Sequence, residues 1–71
     1  MITITVESTT LATVTYDSNR QVLRLGFQSG AVYDYFDVPS DLYQALITAE
    51  SKGSFFNRNI RGRFNYLRLT D

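Results

Sequence analysis

The sequence predicts an α+β domain in which an antiparallel β-meander of three to four strands carries one amphipathic helix and one short helix on one face. Three observations predict this class. Apolar and polar residues alternate with a period of two through the first half of the chain. Clusters of turn-forming residues interrupt the alternation. After the single proline, the apolar residues take the spacing of a helix that packs by one face.

The first three strands are predicted from this alternation. The first strand is expected at a sheet edge. Its apolar residues, which alternate with threonines and share one face, are Ile2, Ile4 and Val6. After a polar connection over residues 7–10, the second strand sets on one face Ala12, Val14 and Tyr16. Turn chemistry over residues 17–20 precedes the third strand, whose apolar face is Leu23, Leu25 and Phe27.

The register of the next hairpin follows from the rule that opposed residues share a face. A two-residue loop would set a leucine against an aspartate. A three-residue loop, residues 28–30, sets Leu25 against Tyr33 and Arg24 against Asp34, which separates apolar from charged residues. It also places a glycine at the third loop position, where a left-handed residue forms a bulge. The predicted core face is therefore Val14, Tyr16, Leu23, Leu25, Phe27, Tyr33 and Tyr35.

Two helices are predicted after the sheet. Val38-Pro39 ends the strand, because proline has a fixed φ and no N–H donor and suits the first turn of a helix. Apolar spacing predicts the first helix over residues 40–50. Ser51 is the expected N-cap of a second, shorter helix, which Gly62 ends and whose apolar residues are Phe55, Phe56 and Ile60. A last strand or extended tail is expected to alternate through Phe64, Tyr66 and Arg68.

Length and composition limit the function classes. A chain of 71 residues is expected to form one small domain over residues 1–71. It contains no cysteine or histidine, so catalysis would depend on carboxylates and serines without an evident base, and we expect a protein that is not an enzyme. No apolar run is long enough for a membrane span, and the first residues include no basic leader. These features predict a soluble cytoplasmic protein without membrane association.

The net charge of zero hides an uneven distribution. Residues 1–50 hold two arginines against six carboxylates, a net charge of −4. Residues 51–71 hold five basic side chains against one carboxylate, a net charge of +4. This asymmetry is a physical indication about the partners of the chain, which the overall net charge conceals.

The start of the second predicted helix is one candidate anion site. Unpaired N–H groups at a helix N-terminus attract phosphate, Gly53 would allow close approach, and Lys52 adds charge. The order Lys-Gly-Ser does not match the phosphate-binding loop of nucleoside triphosphatases. The alternative is a plain N-cap in which the glycine serves close packing.

The arginines that follow are the second candidate. Arg58 and Arg61 are three residues apart and would share a helix face, with Arg63 in the loop beyond. Their guanidinium groups are then expected to converge on one strip of phosphates. The alternatives are a solvated basic face or ion pairs with Asp34, Asp37 or Asp41 across the fold. The complete set of predicted RNA- or phosphate-binding residues is Lys52, Gly53, Asn57, Arg58, Arg61 and Arg63.

Tyr33 and Tyr35 have two interpretations. Aromatic residues on the same face of a sheet are the stacking platforms of RNA-binding domains. The same rings share a face with Leu23 and Leu25, and a helix is available to cover them. We favour a position in the core, with the hydroxyl groups reaching its rim.

Three neighbouring aspartates do not predict a metal site. Asp34 lies on a strand and is expected to face away from Asp37 and Asp41. The other two are explained by the start of the helix, where negative charge complements the helix dipole. We therefore expect no metal, no cofactor and no small-molecule substrate.

A series of motifs carries a family resemblance over about residues 8–64. They are Tyr16-Asp17, Leu23-x-Leu25-x-Phe27, Ser29-Gly30, Tyr33-Asp34-Tyr35, Val38-Pro39, Tyr43, Ala49, Ser51-Lys52-Gly53, Phe56-Asn57 and Ile60-Arg61. With this set the chain resembles the KTSC domain family, which occurs at the C-terminus of some lysyl-tRNA synthetases and as free-standing small bacterial proteins. Thr15 departs from the family pattern, in which glycine is frequent at that position.

The resemblance implies a small bacterial domain and suggests RNA as its partner. Together with the basic residues, it predicts a non-enzymatic binding module whose affinity for RNA is weak and salt-sensitive, with a non-specific Kd on the order of 10⁻⁴ to 10⁻⁶ M. The alternative is a protein–protein interaction module or a small homo-oligomer that uses the acidic first half or an exposed sheet edge.

Overall fold

Five strands form one antiparallel sheet in the computed structural model, which describes residues 2–70. They are β1 (Ile2–Thr5), β2 (Leu11–Asp17), β3 (Val22–Phe27), β4 (Val32–Tyr35) and β5 (Tyr66–Arg68). Their order in the sheet is their order in the chain, so the predicted meander is confirmed and is one strand longer than expected. The added strand is the segment that the sequence left open between a strand and an extended tail.

The β3–β4 hairpin has the predicted register. Residues 28–30 form its loop, because Phe27 N donates to Ala31 O at 2.9 Å. Gly30 has a φ of 95°, a left-handed conformation that only glycine adopts at little cost. The opposed pairs are Leu23 with Tyr35, Arg24 with Asp34 and Leu25 with Tyr33.

The charged pair of this hairpin lies on the face of the sheet away from the core. Arg24 Nε donates to Asp34 Oδ1 at 2.7 Å, and Nη2 donates to Oδ2 at 3.1 Å. The hydrogen bond and the charge of Asp34 raise the pKa of Arg24. Arg24 therefore occupies both oxygens of this carboxylate, whose side chain is only 12% exposed.

The predicted face of β2 is wrong at its beginning. The pairing with β3 shifts between Leu11 and Thr13, which is a β-bulge around Ala12. A bulge adds one residue to a strand, so the period-two pattern slips by one position. As a result Leu11, fully buried, enters the core in place of Ala12. The side chain of Ile2, predicted on the same face of β1 as Ile4, lies outside the described part of the structure.

The core lies between the sheet and two helices, α1 (Ser40–Thr48) and α2 (Lys52–Asn59). Most of the predicted core face is buried, whereas Phe27 and Tyr33 are only partly buried at its margin. The helix layer and its flanks add Val38, Leu46, Phe56 and Ile60. Neither helix is long and apolar enough to cross a membrane, within residues 2–70.

The first helix is two residues shorter than predicted. It ends at Thr48, because Ala49 is extended with a ψ of 142°. The helix ends here because the chain turns into the next helix, whose N-cap lies two residues after Ala49. Ser51 is the predicted N-cap of α2, and its Oγ accepts from Ser54 N at 3.3 Å. Glu50 therefore lies in the connection between the helices.

The second helix ends before the residue expected to stop it. Asn59 is its last residue and Ile60 caps it, with Ile60 N donating to Phe56 O. Gly62 has a φ of 74° in the turn that follows. Arg61 therefore lies outside the helix, and the prediction that it shares a helix face with Arg58 is wrong.

Tyr16 connects the sheet to the helix layer. Its hydroxyl donates to the buried carbonyl of Val38 at 2.5 Å, and its ring stacks on Tyr43 of α1 with centroids 4.5 Å apart. Val38 N donates to Gln21 O at 2.9 Å, so both polar groups of this backbone unit are bound. Burial, followed by the charges of Asp41 and Asp17, raises the pKa of the Tyr16 hydroxyl above 10.0.

Replacing Tyr16 with phenylalanine tests this connection. The Tyr16→Phe variant leaves the buried Val38 carbonyl without its donor, so the free energy of unfolding at neutral pH should fall by about 1–3 kcal/mol. The difference from wild type should narrow above about pH 10. Because the pKa is raised in the folded state, wild-type stability is lost as pH rises through the folded pKa, whereas phenylalanine does not ionise.

Urea unfolding followed by circular dichroism, at about pH 8 and about pH 11, measures both effects. A stability difference between the two proteins that stays constant over this range would contradict the assigned role of the Tyr16 hydroxyl.

Candidate functional site

A groove of about 540 Å³ lies between the C-terminal end of α2 and the β4–β5 end of the sheet. Pairing within the sheet places its floor, because Tyr35 is opposite Tyr66 and Tyr33 is opposite Arg68, so all four share one face. On the other side α2 reaches the sheet through Phe56. The helix layer thus ends where the groove begins.

The aromatic rings of the groove form one connected cluster. The ring centroid of Tyr66 lies 5.6 Å from that of Tyr33 and 5.9 Å from that of Tyr35. Phe56 meets Tyr35 edge to face at 5.8 Å. Burial decreases outward through this cluster, since Tyr35 is 5% exposed and Tyr66 is 61% exposed.

These positions refine the prediction that Tyr33 and Tyr35 belong to the core. Tyr35 is a core residue. Tyr33 is half-buried and lines the groove. The two rings are therefore the inner wall of a surface that Tyr66 continues to solvent.

Two arginines line the same groove. The guanidinium carbon of Arg68 is 5.6 Å from the centroid of the Tyr33 ring, a cation–π contact, and Arg68 Nε donates to Thr70 O at 2.7 Å. Arg61 enters from the turn after α2. Burial, then the neighbouring tyrosines, raise the pKa of Tyr35, and the positive charge of Arg61 opposes them. Arg61 thus carries its charge in the same groove that Tyr35 lines.

At the start of α2, the predicted phosphate-binding residues have local partners. Lys52 Nζ donates to Ala49 O at 3.1 Å and is partly buried. Gly53 is buried, and a Cβ added there would lie 2.8 Å from Thr10 Oγ1 and 3.1 Å from Thr10 Cβ. This is the close-packing role that the sequence left open as the alternative to an anion site.

The remaining predicted residues surround the other end of α2. Asn57 and Arg58 are exposed on the helix, and Arg63 Nε donates to Arg58 O at 2.9 Å. Arg61 faces the groove, whereas Arg63 lines a separate depression beside Asp37. Within residues 2–70, no ion pair joins these three arginines to a carboxylate. The structure therefore distributes the guanidinium groups around the helix end and does not align them in one strip.

Sequence reasoning did not include Tyr66 and Arg68 among the site residues. Both were placed in a last alternating segment, but the segment had no assigned partner strand. The available signal was the shared alternation of Tyr33-x-Tyr35 and Tyr66-x-Arg68, which gives two same-face pairs once the strands are adjacent.

The described structure contains no cluster of potential metal ligands. Among residues 2–70, no three side chains of the histidine, cysteine, aspartate or glutamate type lie close enough to hold an ion. The side chains that line the groove include phenol rings, phenyl rings and guanidinium groups. These groups bind planar rings and anions.

Comparison with protein families adds a match over most of the chain. The model of the KTSC domain matches residues 7–64. A protein of Tsukamurella paurometabola is 39% identical over 64 residues, which cover 90% of this chain and 96% of that protein. The crystal structure of a KTSC domain protein from Yersinia pestis superposes with a TM-score of 0.94 at 29% identity and covers 97% of both chains.

A longer relative contains a similar segment. A lysine–tRNA ligase of Trichormus variabilis is 44% identical over 55 residues, which cover 78% of this chain. The chain spans only about 10% of the length of that ligase. The similarity is thus to one small part of the ligase.

The contact between Gly53 and Thr10 gives a stability test of the start of α2. Gly53→Ala should lower the free energy of unfolding by about 1–3 kcal/mol, because the new methyl group overlaps Thr10 and overpacking outweighs the gain in helix propensity. Thr10→Ala removes the 2.8 Å contact, so the double variant should regain part of the loss. Chemical denaturation measures all three proteins.

Ser54→Ala is the matched control, since Ser54 is exposed in the same turn and its variant should stay within about 0.5 kcal/mol of wild type. Unchanged stability in Gly53→Ala would mean that the glycine does not serve packing and would restore the anion-site interpretation.

Proposed function

The chain belongs to the KTSC domain family, and from this premise we propose that it is a non-enzymatic RNA-binding module. Its contact surface is the C-terminal end of α2, with Asn57, Arg58, Arg61 and Arg63, together with the groove beside it. The observation that carries the proposal is the position of Arg61 at the rim of an open groove of tyrosines. A guanidinium group next to exposed aromatic rings suits a phosphate joined to a base.

Charge supports an anionic partner. The last 21 residues carry a net charge of +4, and the three arginines around the end of α2 are exposed. Arginine binds phosphate oxygens with two parallel N–H donors, which a lysine cannot do. Because the guanidinium groups are distributed, few of them reach one RNA backbone at once, and we expect weak binding that salt reduces strongly.

The relatives support RNA in particular. The Trichormus variabilis relative is named a lysine–tRNA ligase, and the similar segment is a small part of it. A domain of this kind within such a ligase suits contact with the RNA rather than the chemistry of ligation. The side chains lining the groove agree, since the ionisable ones are tyrosines and arginines, without a carboxylate or imidazole base.

Replacing Arg61 with alanine tests this proposal. A fluorescently labelled RNA hairpin with a single-stranded tail is titrated with the protein at about 50 mM and about 200 mM salt. Wild type should bind more weakly at the higher salt. Arg61→Ala should weaken binding and reduce the salt slope, log affinity against log salt concentration, by about 1.

Arg20→Ala is the matched control, because it removes the same charge from an exposed position in the β2–β3 turn, at the opposite end of β3 from the groove. It should bind RNA like wild type. Equal effects of the two substitutions would mean that Arg61 acts only through the net charge of the protein and not through its position. If wild type shows no salt-dependent binding, the RNA proposal is rejected.

A second candidate function is self-association through the edge strand β5. This strand is hydrogen-bonded to β4 on one side and has an open edge on the other. Leu67 is 54% exposed and Leu69 is 42% exposed on or beside it. Exposed leucines at a sheet edge favour pairing with a second copy of the chain.

Sedimentation equilibrium tests self-association. Wild type should form a dimer as its concentration rises, and Leu67→Lys should shift the equilibrium to the monomer, because a lysine on an edge strand opposes pairing. Thr5→Lys, on the other edge strand, is the control and should dimerise like wild type. A wild-type protein that stays monomeric at all concentrations removes this candidate.

A further inference from the structure

We infer that the groove binds one unpaired nucleobase, stacked on the ring of Tyr66, so that the preferred ligand is single-stranded or looped RNA and not a duplex. This inference rests on the proposed function and assigns the specificity of the same site. It adds a residue, Tyr66, that carries no charge and does not contribute to attraction of phosphates.

The first support is the exposure of the Tyr66 ring. It is 61% exposed although it belongs to the aromatic cluster, in which Tyr33 and Tyr35 hold it from within. The inner rings and the β4–β5 pairing restrict its orientation before any ligand arrives. A ring held in this way offers a flat surface to a base at little cost in side-chain entropy.

The second support is the shape of the groove rim. Small residues form part of its lining, namely Ser29 and Ala31 of the β3–β4 hairpin and Gly62 of the turn after α2, and Ser29 and Gly62 are exposed. Their side chains are too small to fill the groove. The volume of about 540 Å³ is within the range of sites that bind small molecules, so a planar base can enter.

The third support is the position of the cations. Arg61 and Arg68 both line the groove, and Arg68 is already held on the face of Tyr33. A nucleotide whose base lies on Tyr66 therefore has guanidinium donors near its flanking phosphates. The described side chains that line the groove include no carboxylate to repel them.

Stacking on Tyr66 requires a base whose face is free. In a duplex both faces of an internal base are covered by neighbouring base pairs, whereas a single strand or loop exposes them at small cost. Arg58 and Arg63, outside the groove, would contact the backbone of either form. Tyr66 should thus distinguish single strands from duplexes, and the outer arginines should not.

The test compares one short unstructured RNA strand, labelled with a fluorophore, with the same strand annealed to its complement, at about 50 mM salt. Tyr66→Leu should weaken binding of the single strand roughly 5- to 100-fold and change duplex binding less than about twofold, with the salt slope unchanged. Tyr66→Phe keeps the ring and should bind the single strand like wild type. Thermal unfolding of both variants confirms that they are folded.

The outcomes separate this inference from the proposed function. One outcome is that wild type binds RNA in a salt-dependent manner while Tyr66→Leu weakens binding of the single strand and of the duplex equally, or leaves both unchanged. In either case the proposed stacking of a base on Tyr66 is wrong, and the proposal of RNA binding stands. The same conclusion follows if Tyr66→Phe is as weak as Tyr66→Leu. If wild type binds neither RNA, both proposals fail.

Discussion

The hydrogen bond from the Tyr16 hydroxyl to the Val38 carbonyl is the constraint on which the arrangement of the two layers depends. Val38 is fully buried and follows β4; its carbonyl is bound to Tyr16 of β2, and its backbone N–H is bound to Gln21 of the β2–β3 turn. The first helix starts two residues later and stacks Tyr43 on the same tyrosine. A buried carbonyl without a hydrogen-bond partner costs free energy, so the bond to Tyr16 fixes where the chain passes from the sheet to the first helix.

The helix layer starts just after Val38, and the lengths of the two helices decide which part of the sheet remains uncovered. The first helix lies over Tyr16, and the second reaches Phe27 and Tyr35 through Phe56. No helix residue is in ring contact with Tyr66 in the described structure. The end of the sheet formed by β4 and β5 therefore keeps an aromatic surface in contact with solvent, and the turn after the second helix sets an arginine beside it.

Local rules predicted the local features, and they failed where the partner was distant. The β3–β4 register, the left-handed Gly30 and the Ser51 N-cap follow from neighbouring residues, because hairpin loops and helix caps are short-range structures. The bulge at Ala12 and the end of the first helix depend on how separate elements meet. Alternation and helical spacing carry no information about either.

The sequence by itself determined the meander, the two helices and the charge of the last third of the chain, because periodicity and composition are properties of consecutive residues. Only the tertiary structure decided which of the cations lie beside the groove of tyrosines. Pairing of β5 with β4, more than thirty residues apart in the chain, brings Tyr66 and Arg68 onto the face of Tyr33 and Tyr35. Close packing of Gly53 on Thr10 likewise arises from a contact between distant segments. Such contacts are selected by burial and steric fit in the folded molecule, which no local pattern records.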